Sequence, residues 1–115
     1  MKDRMGKFQY KEKEYKVVFN LNVMEAIQEE YGSLDAWGNL TDGEHGEPNA
    51  KAVIFGFTQM INEGIEIDND NNGTNDKPLT LKQVGRILTE VGLSKATEVL
   101  HKTVIESTES PEKNE

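Results

Sequence analysis

Two apolar stripes with helical spacing lie near the C-terminal end of the chain. The segment PLTLKQVGRILTEVGLSKATEVLHKTVIES, residues 78–107, divides into two parts at Gly92. In each part, apolar side chains recur every three or four residues, which places them on one face of a helix. They are Leu81, Val84, Ile87, Leu88 and Val91 in the first part, and Ala96, Val99, Leu100 and Val104 in the second. The pattern therefore predicts two amphipathic helices, hinged at Gly92, that must each bury one face.

The N-terminal segment alternates in polarity instead. In KFQYKEKEYKVVF, residues 7–19, aromatic and aliphatic side chains occupy alternate positions, which is typical of a β-hairpin with one buried face. Pairing Tyr10 with Tyr15 also pairs Phe8 with Val17, so one register aligns both apolar sets. Because an isolated hairpin is only marginally stable in water, we expect its apolar face to pack on the helices.

Two more helical patterns occupy the middle of the chain. The first begins after an asparagine cap at position 20 or 22 and ends at Gly32, since glycine can adopt the left-handed backbone that ends a helix. The second covers residues 50–63. Phe57 is central in its stripe, as Leu88 is in the stripe of the first C-terminal helix, so we predict that both lie in the core.

The remaining segments are polar and indicate loops. Residues 38–49 and 66–78 are rich in Asn, Asp and Gly, and we expect the polar tail, residues 108–115, to be disordered. The sequence therefore predicts one domain over residues 1–107. Its fold class is mainly α, a small domain of about four helices with an N-terminal β-hairpin at residues 7–19.

Composition narrows the classes of partner. The chain has 115 residues, of which 35% are hydrophobic and 30% charged, so its core must be small. A net charge of −8 argues against nucleic acid, which favours clustered Lys and Arg. The first 16 residues carry +3 and the other 99 carry −11, a difference that a solvated hairpin explains.

The cysteine count and the hydropathy of the chain indicate its cellular compartment. The chain has no cysteine, which excludes disulfides and thiolate chemistry. No apolar run approaches the roughly 18 residues of a membrane span, and no apolar stretch follows the N-terminal charges as in a secretory signal. We therefore expect a soluble, intracellular protein that does not bind a membrane.

The second polar loop contains part of a calcium-loop pattern. Alternate oxygen ligands with a glycine between them can converge on a hard cation. If Asp68 is the first position of such a loop, the twelfth position is Leu79. An EF-hand has a bidentate Glu at its twelfth position, so calcium binding here would be weak. A flexible polar linker explains the same residues. The candidate ligands are Asp68, Asp70, Asn72, Thr74 and Asp76.

Three apolar residues, Trp37, Phe55 and Ile105, fall off the main stripes. In a core this small they could complete the packing. Otherwise they mark a partner-binding groove or a patch for self-association.

The sequence shows no catalytic arrangement. His45 and His101 have no ligand spacing between them, and we interpret both as surface histidines. The serines lie at predicted caps or in the tail, outside any nucleophile motif, and the carboxylates lie on solvated helix faces. We therefore predict that the protein is not an enzyme and has no cofactor beyond a weakly bound calcium ion.

The order of the elements resembles one family. A hairpin, YKEKEYKVVFNLN, leads into VMEAIQEEYGSLDAW; a helix AVIFGFTQMI follows, and LTLKQVGRILTEVGLSKATEVLHKTVIES closes the chain. Over residues 7–107 this is similar to the tail assembly chaperones of long-tailed phages and prophages of Gram-positive bacteria. The resemblance implies a non-enzymatic, mostly helical protein of the bacterial host cytoplasm. Its partners would be the tape measure protein, which family members coat, and the tail tube protein, whose subunits they recruit.

A second interpretation assigns the chain to a different functional class. The chain could be a small acidic adaptor whose active part is the loop at residues 66–78, with or without calcium. A calcium titration would separate the two interpretations, since only the adaptor uses that loop.

Overall fold

The computed structural model describes residues 4–10 and 12–108, with the backbone alone for residues 4–8 and 108. Two antiparallel strands, β1 (Arg4–Tyr10) and β2 (Lys13–Phe19), are followed by five helices in this part of the chain. The helices are α1 (Leu21–Tyr31), α2 (Leu34–Thr41), α3 (Ala50–Asn72), α4 (Leu81–Val91) and α5 (Leu93–Thr108). The predicted fold class, mainly α with an N-terminal hairpin, is confirmed. The predicted tail lies outside the described residues, apart from Thr108 at the end of α5.

The hairpin has a different register from the predicted one. Phe8 pairs with Tyr15, and Tyr10 pairs with Lys13, which leaves only two residues between the strands. Tyr10 was predicted opposite Tyr15, which would need a four-residue loop, and hairpins favour the shorter connection. Since the register differs by two residues, the same side chains still share a face. Val17 lies in the core, so the prediction that the apolar face packs on the helices is confirmed.

The first helix begins and ends at the predicted residues. The Asn20 side chain accepts a hydrogen bond from the backbone N–H of Val23 at 3.2 Å and caps α1. Gly32, with φ of 92°, follows its last residue. The predicted loop at residues 38–49 is wrong at its start, because α2 has eight residues and continues to Thr41.

α3 extends well beyond the predicted helix. It continues to Asn72, so the first half of the predicted loop at residues 66–78 is helical. The Lys16 ammonium donates a hydrogen bond to the Asp68 carboxylate at 2.8 Å, and this contact with β2 holds the polar end of the helix. A Cβ at Gly64 would lie 3.2 Å from the Lys16 carbonyl oxygen, so helix and strand are in close contact. Within the described residues, no helix combines the length and apolarity needed to cross a membrane.

The two C-terminal helices match their prediction closely. The Thr80 hydroxyl and the Gln83 side chain form a reciprocal capping box at the start of α4. Gly92 ends α4 with φ of 96°, a conformation that favours glycine, and α5 begins at the next residue. The predicted hinge is therefore a single glycine between two helices.

One core joins β2 to all five helices. Phe57 and Leu88 are both buried, as predicted from their central positions in the stripes. Leu81, which was assigned to the buried stripe of α4, is instead 52% exposed. The buried core residues include Val17, Phe19, Val23, Ile27, Trp37, Val53, Phe57, Met60, Ile61, Val84, Leu88, Ala96 and Leu100.

Trp37 fixes α2 against α3. Its indole N–H donates a hydrogen bond to the Ala52 carbonyl oxygen at 3.0 Å, and the side chain is only 1% exposed. A Cβ at Gly56 would lie 2.5 Å from the indole carbon Cζ2, a distance that real Cβ atoms do not reach. The glycine is therefore what admits the tryptophan ring.

Candidate functional site

An open groove runs between α3 and α4 and reaches the end of α1. Its volume is about 790 Å³, within the size range of ligand-binding clefts. Half-buried or exposed apolar groups from two helices form its floor, and exposed polar side chains form its rim. The floor consists of Ile54, Phe55, Leu81 and Gly85, and the rim of Glu30, Lys51, Lys82, Arg86 and Thr89. We call these nine residues the α3–α4 groove.

Helical spacing explains why these residues share one surface. On α3, Lys51 and Phe55 are four residues apart, one turn of helix. On α4, Leu81 and Gly85 are one turn apart, and Lys82 and Arg86 repeat that spacing beside them. Each helix therefore presents one face to the core and a second, partly apolar face to the groove.

Gly85 keeps the floor of the groove open. A Cβ at this position would lie 3.5 Å from Cδ1 of Ile54, an ordinary van der Waals distance. A larger side chain at position 85 would extend into the groove. The glycine therefore marks space that the core does not use.

Phe55 is held in place by a neighbouring ring. The rings of Tyr31 and Phe55 meet edge to face, with centroids 5.6 Å apart and an angle of 73° between the planes. Such pairs contribute about 0.5–1.5 kcal/mol beyond the burial of their area. Burial raises the pKa of the Tyr31 hydroxyl, and the Glu30 carboxylate raises it further, so the tyrosine stays neutral at physiological pH. The floor of the groove is therefore preformed.

The rim of the groove is cationic, whereas the chain as a whole is acidic. Between residues 17 and 108 the sequence has six Lys or Arg residues, and three of them, Lys51, Lys82 and Arg86, line this groove. None of the three forms an ion pair with another described residue. The only carboxylate on the rim is that of Glu30. The groove is thus a local positive surface on a chain of net charge −8.

The three predicted partner-binding residues occupy three different environments. Trp37 is buried between α2 and α3, so of the two interpretations left open for it, its position fits completion of the core and not a partner-binding surface. Phe55 lines the α3–α4 groove. Ile105 lies on α5 and is 58% exposed, but it is not part of the groove. Only Phe55 remains a candidate within this site.

The predicted calcium ligands do not form a loop. Asp68, Asp70 and Asn72 belong to the last turns of α3. Because each helical residue turns by about 100°, side chains two positions apart point in opposite directions and cannot converge. Thr74 and Asp76 follow the helix end and are both bonded to one side chain, that of Asn69, at 2.8 and 3.0 Å.

The segment is therefore a capped helix end rather than a calcium loop. Asp68 is engaged by Lys16, and Asn69 closes the connection. Within the described residues, no group of three or more His, Cys, Asp or Glu side chains is placed to hold a metal ion.

The two histidines differ in their surroundings. His45 is exposed, as predicted, and its Nδ1 lies 3.0 Å from a carboxylate oxygen of Asp42. His101 is half-buried, so the prediction of a surface histidine is wrong for it. Its Nε2 lies 2.9 Å from the Thr41 hydroxyl, which links α5 to α2. Burial lowers the pKa of His101, although the carboxylates of Asp42 and Glu44 oppose the shift.

Sequence reasoning missed most of the groove. Lys82 and Arg86 share a face of α4 by their spacing, and this local signal was available in the sequence. The position of Lys51 beside them was not, because about thirty residues separate it from α4. Only the packing of α3 on α4 brings the three cations together.

Comparisons of this chain with protein-family models, with curated proteins and with solved structures give no match. The candidate site must therefore be interpreted from its own residues and from the order of elements in the chain.

Proposed function

We propose that this chain is a phage tail assembly chaperone, a non-enzymatic protein of the bacterial cytoplasm that binds the tape measure protein and helps recruit tail tube subunits. The order of its elements, a hairpin followed by amphipathic helices, supports the proposal through its resemblance to that family. The observation that carries the proposal is the α3–α4 groove, a preformed apolar surface on a strongly acidic chain.

The groove suits a helical partner. An α-helix with its side chains is about 10–12 Å wide, and a groove of this volume would cover the apolar side chains of one or two turns. A tape measure protein is a long apolar helix, so many copies of this chain would be needed to coat it. The net charge of −8 on each copy would keep coated filaments apart by repulsion.

The test is co-expression with the cognate tape measure protein. We expect the tape measure protein to remain soluble and to co-purify with this chain. A tail tube subunit added to the purified pair should join it, since recruitment is the second part of the proposal. A tape measure protein that is equally soluble alone, or that never co-purifies, would contradict the proposal.

A matched pair of variants locates the contact. Leu81 and Leu93 are the first residues of α4 and α5 and are 52% and 40% exposed. Leu81→Glu places a charge on the floor of the groove, whereas Leu93→Glu places the same charge outside it. We expect Leu81→Glu alone to reduce co-purification, with both variants retaining their circular dichroism. Ile105→Glu, a third variant, tests whether α5 offers a separate contact.

A further inference from the structure

We infer that the α3–α4 groove selects an amphipathic helix whose apolar stripe is flanked by carboxylates one helical turn apart. The inference rests on the proposed function for the identity of the partner and adds the chemistry by which the partner is recognised. It follows from the shape of the groove, from its unpaired cations and from their spacing.

The first step is the division between floor and rim. Ile54, Phe55 and Leu81 provide apolar contact area, and Leu81 is 52% exposed in the free chain. A partner must therefore supply an apolar stripe to cover them. Because the floor lies between two helices, a convex ridge such as one helix face fits it better than a flat surface.

The second step is charge. Lys51, Lys82 and Arg86 are exposed, and none has an ion-pair partner among the described residues. The rim also carries the carboxylate of Glu30, and Glu25 and Glu29 lie beyond it next to Phe55. Along α4 and at Lys51, three cations against one rim carboxylate attract an anionic partner and repel a cationic one. Rim charges of this kind contribute to selectivity and association rate more than to total affinity.

The third step is spacing. Lys82 and Arg86 are four residues apart on α4, so their Cα atoms lie about 6 Å apart along the helix axis, a little more than one turn. Two carboxylates at positions i and i+4 of a partner helix have the same separation and can pair with both. Lys51 stands on the α3 side and can receive a carboxylate from the other edge of the stripe.

The test uses two synthetic helical peptides of equal length. Both have leucines at helical spacing; one has Glu and the other Lys at the flanking positions. Binding to the full chain is measured by fluorescence anisotropy. We expect the Glu-flanked peptide to bind at least about tenfold more tightly than the Lys-flanked peptide, and its affinity to fall as the salt concentration rises. Equal affinities for the two peptides, or no binding of either, would overturn the inference.

Charge-reversal variants assign the effect to the groove. Lys82→Glu combined with Arg86→Glu should weaken binding of the Glu-flanked peptide by about tenfold or more and strengthen binding of the Lys-flanked one. The matched control reverses two cations on α5, Lys95 and Lys102, which are exposed and outside the groove. If the control has the same effect, net charge explains the selectivity and the inference is wrong.

A second variant separates the groove from any effect of charge. Gly85→Phe should fill the floor and weaken binding of both peptides, with circular dichroism and thermal midpoint as checks on folding. Unchanged binding to a folded Gly85→Phe chain would overturn the inference. Sedimentation of the free chain tests whether a second copy of the chain occupies the groove instead. Self-association that Gly85→Phe abolishes would assign the groove to that second copy and overturn the inference.

The same variants distinguish the inference from the proposed function. If the peptides bind as expected but the tape measure protein never co-purifies, the selectivity stands and the proposed function is wrong. If the tape measure protein co-purifies equally well with the charge-reversed groove, the function stands and the groove is not its contact.

Discussion

Phe55 and Gly56 are neighbours on α3, yet they face two different kinds of surface. At Gly56 the missing side chain is replaced by the Trp37 indole, and the contact between α2 and α3 is closed. Phe55 instead lines the open α3–α4 groove together with Gly85 of α4, where a Cβ would meet only Cδ1 of Ile54 among the described residues, at an ordinary 3.5 Å. The comparison teaches that a glycine on a packed helix either admits a side chain of its own chain or leaves room for a partner.

The largest expected effect comes from emptying the closed contact. Trp37→Ala should lower the free energy of unfolding by about 3–5 kcal/mol, because it removes a buried aromatic side chain and leaves a cavity against Gly56. Chemical denaturation measures the change. A loss below about 1 kcal/mol would show that the indole does not hold α2 on α3, and the distinction between the two surfaces would fail.

The second prediction compares the two glycines directly. Gly56→Ala should destabilise the chain by about 1–3 kcal/mol, because its Cβ would lie 2.5 Å from the buried indole. Gly85→Ala should stabilise it by about 0.5–1 kcal/mol, since alanine is the better helix former and its Cβ meets Ile54 at an ordinary 3.5 Å. Thermal midpoints of the two variants provide the measurement, and a shift in the same direction for both would contradict the comparison.

The smallest expected effect is a dependence of the free energy of unfolding on pH. It comes from His101, which lies next to α2 and the closed contact that Trp37 makes with α3. His101 bonds to Thr41, whose hydroxyl also lies 3.2 Å from the Trp37 carbonyl oxygen, whereas the α3–α4 groove contains no histidine. Burial holds the pKa of His101 below its ordinary value of 6.5. As pH falls through 6.5, the unfolded chain takes up a proton before the folded chain does, so the free energy of unfolding decreases.

The control for this effect is His101→Gln, which can still donate a hydrogen bond to Thr41 but does not titrate. Between pH 7 and 5.5 the thermal midpoint of the natural chain should fall more steeply than that of the variant. Equal slopes would assign the pH dependence to other groups. Asp42, whose pKa is lowered chiefly by a hydrogen bond from the Glu44 backbone, acts in a separate, more acidic range, near and below its ordinary value of 3.8.

Much of the fold was predictable because it is local. Helical periodicity placed Phe57 and Leu88 in the core, and the caps at Asn20 and Thr80 depend only on residues three positions away. The hairpin was predicted for the same reason, although its register was wrong by two residues. Alternation determines which side chains share a face, but it does not distinguish registers that differ by an even number.

The length of α3 was not predictable from local sequence. Residues 66–72 have the composition of a loop, yet they continue α3, and the contacts of this part of the helix with β2 are those of Asp68 with Lys16 and of Gly64 with the strand backbone. These contacts join residues more than forty positions apart. The one local signal is Gly73, which ends α3 with φ of 67°, but a glycine in a polar segment is equally typical of a loop.

The sequence by itself determined the class of fold, the faces that must be buried and the acidity of the surface. Only the tertiary structure decided that Trp37 is core, that Phe55 faces a groove, and that Lys51 meets Lys82 and Arg86 across it. The physical reason is that periodicity specifies which residues share a face of one helix. Which faces of different helices meet depends on how the side chains of both fill the space between them. Trp37 fills that space at Gly56, whereas at Gly85 only Ile54 among the described residues comes within van der Waals distance and the groove stays open.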